Sequence, residues 1–472
     1  MKKILIIGLT AFTVIFSACT KQLDLNPKDA LGTDVALGTI KGINTAILGM
    51  YASMRDVDYY GRSLYIYGDL SASDVYISKA NSNRYLSTFQ KNYAANDAGI
   101  TSIWTAMYST IARANNIINK VDKVEASQAE KDLAKGQAQF VRALGYFDLV
   151  RVFAKPYNQG NGSQLGVPVV LVSDVSNYPG RNTVAEVYTQ IINDLVSAKT
   201  LLAATSASDK VTASKYAASA LLSRVYLYKG DNANAIAEAN TVTGAGYVIT
   251  PAGSLTTYYA TPGAPEDIFT IKFLPTESQG SDNIGNIYLK PGYGDIRVSP
   301  DLVAVFDKTN DNRYKLFISP FSNSPAEFQN NKYKQQDGAQ GMYSPKVLRL
   351  SEVILNRAEA ENKIGGQDTQ ALADLNIIKT NRGLAPVSGL SGAALLQEIL
   401  LERRRELMFE GQVFFDLMRN GITMQRNFCN DPLEITVTRC SLTATDPKTI
   451  APIPQAEISA NINLAGQQNA GY

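Results

Sequence analysis

A mainly α-helical fold follows from three features of this 472-residue chain. Apolar residues recur at helical spacing on both sides of a middle region, several of these stretches come in pairs joined by a glycine turn, and no long run of period-2 alternation competes with them. Hydrophobic residues make up 45% and charged residues 19%, the balance of a globular protein rather than a disordered one.

In chain order, the first element is a leader. Lys2 and Lys3 precede an apolar run from Ile4 to Phe16, followed by Ser17, Ala18 and Cys19. That is the charged, apolar and small-residue order of a secretory signal, and the run is shorter than the roughly 20 residues that cross a bilayer. Phe16-Ser17-Ala18-Cys19 looks like a bacterial lipobox, so residues 1–18 are expected to be a lipoprotein signal peptide and Cys19 the lipidated first residue of the mature chain. Residues 19–34, with Pro27 and Gly32 among polar neighbours, read as a tether between lipid and body. From 45 basic and 43 acidic residues, loss of Lys2 and Lys3 leaves a formally neutral chain. Nothing in that charge would draw it to nucleic acid.

The body is expected from residue 35 to 472, with an N-terminal helical part (about 35–243), a loop-rich part (about 244–345) and a C-terminal part (about 346–472). Trp104, Tyr108, Ile111 and Asn115 share one helical face, so the single tryptophan reads as core. Helices are expected over 134–153, 184–202 with Thr183 as N-cap, 215–229 and 233–242, then over 348–364, 369–381 and 393–419. Residues 216–228, the turn Gly230-Asp231, and then Ala233, Ala237 and Ala239 follow the tetratricopeptide scheme, in which small residues let two antiparallel helices approach. Residues 351–364, Gly365-Gly366 and 371–379 form a second, looser copy. Between the copies, 244–345 is rich in Gly, Pro, Asn, Ser and Tyr. It reads as loops and short strands carried on the helical body, the usual place for recognition.

In 393–419, Leu400, Leu407 and Phe414 recur every seven residues beside a second row, Leu396, Arg403, Glu410 and Leu417. Charges inside an apolar stripe must be paired, and Glu352 and Glu359 are candidate partners for the arginines, so this segment reads as structural. Further on, Cys429 and Cys440 are expected to form a disulfide, because an exported chain meets conditions in which disulfides persist. Closing so short a loop stabilises by about 3 kcal/mol on the chain-entropy model.

The absence of histidine removes Ser-His-Asp triads, Cys-His pairs and His-ligated zinc. No G-x-S-x-G, Walker loop or complete G-x-G-x-x-G is found, and 307–312 lacks calcium-loop spacing and reads as a solvated turn. Metal or general acid-base chemistry would therefore need carboxylates, Lys, Tyr or Cys, and the sequence offers no recognisable catalytic residue, metal or cofactor motif. Tyrosine is the positive clue. Eight of the 25 lie between Tyr51 and Tyr93, where an even spread would place about two. Tyrosine offers a flat apolar face and a polar tip, which suits sugar rings. The candidate ligand contacts are Tyr76, Asn83, Arg84 and Tyr85 in one loop, with Asn286, Tyr288, Tyr293 and Arg297 in the middle region.

Several segments together resemble one family. They are Trp104 to Asn119 as WTAMYSTIARANNIIN, LGVPVV at Leu165 to Val170, RNTVAEVYTQIINDL at Arg181 to Leu195, RLSEVILNRAEA at Arg349 to Ala360, ERRRELMFEGQVFFDLMR at Glu402 to Arg419 and APIPQAEISANINL at Ala451 to Leu464. In this order and at these distances the chain resembles the SusD/RagB nutrient-binding outer-membrane lipoproteins of the Bacteroidetes. It departs from them at Ala154-Lys155-Pro156, Asn461-Ile462 and Asn469-Ala470, all turn positions. The resemblance implies a SusD-like fold: a tetratricopeptide-like scaffold with an irregular ligand-binding face. It also implies a lipid-anchored, outward-facing location on the outer membrane and a SusC-like TonB-dependent transporter as partner. The implied ligand is oligosaccharide or polysaccharide, or peptide in some members, bound without catalysis. Two alternatives remain at this level: a carboxylate-based glycosidase, which needs no histidine, and a helical-repeat adaptor.

Overall fold

A computed structural model describes residues 32–174, 176–318 and 327–472. The signal segment, Cys19 and the tether up to residue 31 lie outside the described residues.

The longer helices are α1 (Ile40–Met54), α2 (Ser63–Ser71), α3 (Ala98–Val121), α4 (Gln128–Phe153), α5 (Val184–Leu201), α6 (Lys215–Lys229), α7 (Asn232–Thr243), α8 (Leu350–Ile364), α9 (Asp368–Asn381), α10 (Gly392–Glu406) and α11 (Val413–Arg419). Their starts are written in the sequence as caps. Ser127 before α4 and Thr183 before α5 each form a capping box with the glutamate three residues on, Glu130 and Glu186. The α6–α7 turn is set by Gly230 at φ 85°, a left-handed position that glycine adopts without strain, and Asp231 then caps α7.

The helices stack as a solenoid. α3 packs on α1 and α4, α4 on α5, α5 on α6, α6 on α7, and α8 on α9 and α10. α7 packs on α8, although the whole of 244–345 lies between them in sequence. The two tetratricopeptide-like pairs are thus neighbours, and fully buried Ala217, Ala218, Ala235, Ala239 and Ala358 let their backbones approach. Trp104 is 3% exposed and sits edge-on to Phe153 at 4.9 Å, a core position.

The middle region is inserted at this junction. Its strand Asp267–Thr270 runs antiparallel to Lys346–Arg349, which leads directly into α8. A second ladder pairs Val75–Ile77 with Ile296–Val298, setting Tyr76 opposite Arg297. This ladder joins the 78–92 loop to the middle region.

One expected element is corrected. Residues 393–419 are two helices, broken at 407–412, where Phe409 and Gly411 take φ of 64° and 67°. The carbonyl of Met408 accepts from Lys332 Nζ at 2.8 Å and that of Phe409 from the Tyr333 hydroxyl, so both leave the helical ladder. Gly68 lies so close to the backbone of Gly411 that it could not carry a Cβ without displacing that backbone, and a Cβ on Gly411 would crowd the backbone of Tyr65.

The charges of this segment are paired and buried. Arg403 meets Glu359 at 3.5 Å and Asp416 at 3.1 Å, while Arg419 meets Glu359 at 2.6 Å. Glu352 instead takes Arg224 of α6, at 2.5 Å. Arg349 and Arg382 converge on Glu406 at 2.5 and 2.7 Å, and Arg313 reaches its other oxygen at 3.0 Å. Burial opposes ionisation of Glu406 most strongly, yet Arg382 and Arg349 together hold its carboxyl well below the usual range. At 307–312, the Asp307 carboxylate accepts the N–H groups of Thr309 and Asn310 at 2.9 and 3.0 Å, an Asx-type turn.

Candidate ligand-binding groove

The groove is built from backbone outward. Gly285 donates its N–H to Gly341 at 2.9 Å, and Gly294 donates to the carbonyl of Asn286 at 3.1 Å, folding residues 283–294 against the hairpin Gln335–Gln336/Ala339–Gln340. Gly285 has no space for a Cβ, which would meet the Tyr333 carbonyl and Gly341. The hairpin turns at Asp337 and Gly338, with φ of 50° and 81°, both positive as a type I′ turn requires.

These segments enclose a groove of about 640 Å³ lined among others by Ser278, Asn283, Asn286, Tyr293 and Gln340. Its amides are held in place. Asn286 Nδ2 donates to the Gly280 carbonyl at 2.8 Å, and Asn283 Nδ2 donates to Ser278 Oγ at 2.9 Å and the Gln340 carbonyl at 3.2 Å.

The 78–92 loop closes one side. Its anchor is Asp295, whose backbone carbonyl accepts from Ser78 N at 2.9 Å and whose carboxylate accepts from Ser82 N at 3.0 Å and from Ser82 Oγ. Arg84 donates to Ser82 Oγ at 2.8 Å and lays its guanidinium 3.8 Å from the Tyr293 ring centroid. That stack makes a flat, half-exposed plate at the groove's edge. Asn83, exposed at φ 64°, donates its N–H to Asn81 Oδ1 at 2.7 Å. The far edge of Val75–Ile77 is covered by the loop closed by the Cys429–Cys440 disulfide, whose Cα atoms are 5.5 Å apart. There Ile435 N donates to the Ile77 carbonyl at 3.0 Å, and Gln90 Nε2 to the Thr436 carbonyl at 3.1 Å.

The eight candidate contacts therefore divide. Asn286 and Tyr293 line the groove, Arg84 joins them at its edge through the Tyr293 ring, and Asn83 stays exposed on the turn of the neighbouring loop. The other four lie beneath the groove. Tyr288 is fully buried, with its hydroxyl donating to Asp69 Oδ2 at 2.6 Å, and burial followed by the Asp69 charge pushes its phenol well up. Tyr76, 2% exposed, packs on Phe428 at 5.1 Å, and burial raises its phenol too. Arg297 is 2% exposed and donates to the Gly294 carbonyl; burial lowers its pKa. Tyr85 is half-buried, with its hydroxyl 3.0 Å from Ser63 Oγ. These side chains fix the groove from below and present no face to it.

The wider tyrosine cluster is also mostly core. Tyr59, Tyr60, Tyr65, Tyr67 and Tyr93 are buried, and the first two both donate to Asp148 Oδ2 at 2.8 Å. Residue type did not point to Ser278 or Gln340, although Asp337-Gly338 marks the hairpin that delivers Gln340.

Residues 22–227 match the family model described as "Starch-binding associating with outer membrane", and residues 308–472 match that of the SusD family. SusD-like protein P2 of Formosa agariphila is 25% identical over 517 aligned positions that cover 96% of each chain. The crystal structure of a SusD superfamily protein from Bacteroides vulgatus is 30% identical with a TM-score of 0.84, covering 92% of this chain and 99% of that one. That of a SusD-like carbohydrate-binding protein from the same species has a TM-score of 0.80 at 22% identity, over 91% and 98% of the two chains, and shares the fold. With helical pairs, insertion and buried ion-pair seam in place, the chain belongs to the SusD/RagB family.

Proposed function

We propose that this chain is a glycan-binding lipoprotein of the outer membrane, anchored through Cys19 after loss of residues 1–18 and facing the exterior. It captures oligosaccharide or polysaccharide in the groove and passes it unchanged to a SusC-like TonB-dependent transporter. Residues 19–34 are the tether in this reading, and 35–472 the binding body. The observation that carries it is the Tyr293–Arg84 plate beside the polar lining of Ser278, Ser281 and Gln340, which the buried amides of Asn283 and Asn286 hold in place. A sugar presents an apolar C–H face and a hydroxyl rim, and these groups answer both. The groove's lining carries hydroxyls, amides and an aromatic ring and no carboxylate, which favours binding over the paired acid-base chemistry of a glycosidase. The carbohydrate-binding description of the B. vulgatus relative points the same way.

Affinity electrophoresis against starch, xylan, laminarin and mannan tests this reading. Retardation by at least one polysaccharide, weakened in Tyr293→Ala and Arg84→Ala, is the expected result. Binding of peptides and of none of the polysaccharides would replace it with peptide capture.

A further inference from the structure

A second groove, of about 430 Å³, lies away from the first, between the N-terminal half of α3, residues 168–170 and 177–179, and the C-terminal stretch 457–464. Its floor is aromatic: Trp104 and Tyr108 lie 4.7 Å apart between centroids, and the Tyr108 hydroxyl is spent on the Pro168 carbonyl at 2.7 Å. Its wall is Tyr178, which is 50% exposed. A tyrosine left so open is unusual in this chain, where the ring is mostly core. Tyr178 is also held firmly. Its carbonyl accepts from Asn463 Nδ2 at 2.5 Å, and the Pro179 carbonyl accepts from Asn461 Nδ2 at 2.8 Å. The ring is thus displayed on a pinned backbone, as a recognition surface requires.

The polar groups around it are unspent. Thr105 and Ser109, four residues apart on one face of α3, and Asn177 and Glu457 make no side-chain hydrogen bond or ion pair with any described residue. The Glu457 carboxyl is half-buried without a cation, and burial alone raises its pKa. By contrast, Asn283 and Asn286 of the first groove are already hydrogen-bonded internally.

We propose that this second groove is a further saccharide-binding site, with one pyranose unit stacking on Tyr178 and its hydroxyls taken by Glu457, Asn177 and the Thr105–Ser109 pair. A carboxylate accepts two adjacent sugar hydroxyls, and free hydroxyls and an amide supply both donors and acceptors. No cation among the lining residues marks the site for an anionic ligand, so its ligand is a neutral or amino sugar. The inference rests on the glycan reading of the protein. Two sites on one chain bind a long polymer more tightly than either alone, because the second contact becomes intramolecular.

The test is affinity electrophoresis of the full-length chain in detergent with starch, xylan, laminarin and mannan, comparing parent, Tyr293→Ala, Tyr178→Ala, Glu457→Gln and the double tyrosine variant. Thermal melts confirm that each is folded. Tyr178→Ala is expected to weaken retardation about two- to tenfold, the scale of one aromatic stacking contact, and Glu457→Gln about tenfold or more, the scale of one hydrogen bond to a charged group, with the double tyrosine variant weaker than either single one. If the two second-groove variants migrate as the parent does while Tyr293→Ala loses retardation, the second site falls and the first stands. If no polysaccharide retards the parent, both fall.

Discussion

The seam joining α8, α10 and α11 and the groove at 278–340 employ arginines and polar side chains to opposite ends. In the seam, Arg349, Arg382, Arg403 and Arg419 are at most 4% exposed, and each meets a carboxylate. In the groove, Arg84 meets a tyrosine face and remains half-exposed. A run as charged as Glu402 to Arg419 invites a functional reading, yet burial decides the matter. A charge out of water is tolerable only with a fixed partner, and one with a fixed partner has nothing left to offer a ligand. A ligand site needs polar and aromatic groups that the scaffold leaves with spare capacity at the surface, as it does at Tyr293 and Arg84 of the proposed groove.

That contrast can be broken or sharpened by substitution. The largest effect is expected in the seam. Removing one member, as in Glu406→Gln or Arg403→Ala, strands a buried opposite charge and should cost about 3–5 kcal/mol in urea unfolding. An Arg403→Ala protein of parental stability that had lost glycan binding would reverse the structural assignment. Next is the junction of α2 with the 407–412 break, where Gly68→Ala forces backbone against Gly411. It should lower the melting temperature by several degrees, on the scale of about 1–3 kcal/mol for overpacking, whereas Gly230→Ala, with open space around it, carries only the strain of a left-handed φ.

The pH dependence has two limbs of opposite sign. Glu406 and Glu359 are held below the usual carboxylate range by their guanidinium neighbours against the opposing effect of burial. A depressed folded-state pKa gives stability that is present above the unfolded value of about 4.3 and is lost as pH falls below it. Asp69 and Glu361 are both raised to about 7, chiefly by burial. A raised carboxyl gives stability that is full below its unfolded value and is lost as pH rises through the folded one. Urea midpoints should therefore fall steeply below about pH 4 and drift down between about pH 5 and 8; a midpoint flat from pH 3 to 8 would contradict the buried pairing. The smallest effect on stability belongs to the groove, where Arg84→Ala should shift unfolding by less than about 0.5 kcal/mol.

Much of the scaffold was legible in the sequence because its signals are local. Thr183 and Glu186 announce α5, and Gly230-Asp231 announces the α6–α7 turn, with no knowledge of the rest of the fold. The break at 407–412 was not legible. The heptad rows run through it unbroken, and what interrupts the helix is Lys332, Tyr333 and Gly68, all remote in sequence. The tyrosine count misled for a related reason. A tyrosine suits a ligand face and a core equally well, and Tyr59 and Tyr60 are core because Asp148 waits 88–89 residues away to take both hydroxyls. Residue chemistry singles out Asn286, Tyr293 and Arg84 as candidates, but that the 78–92 loop meets 283–297 depends on the Tyr76–Arg297 register and on Asp295, both long-range.

In the proposed function, ligand is held at the Tyr293–Arg84 plate while the buried tyrosines only support it. The most direct test is calorimetric titration of Tyr293→Ala with whichever polysaccharide the parent binds, beside a thermal melt of the same sample. An unchanged melt and an affinity weakened about tenfold are expected, on the scale of losing a ring together with its guanidinium stack. Parental affinity in that folded variant would contradict the proposal.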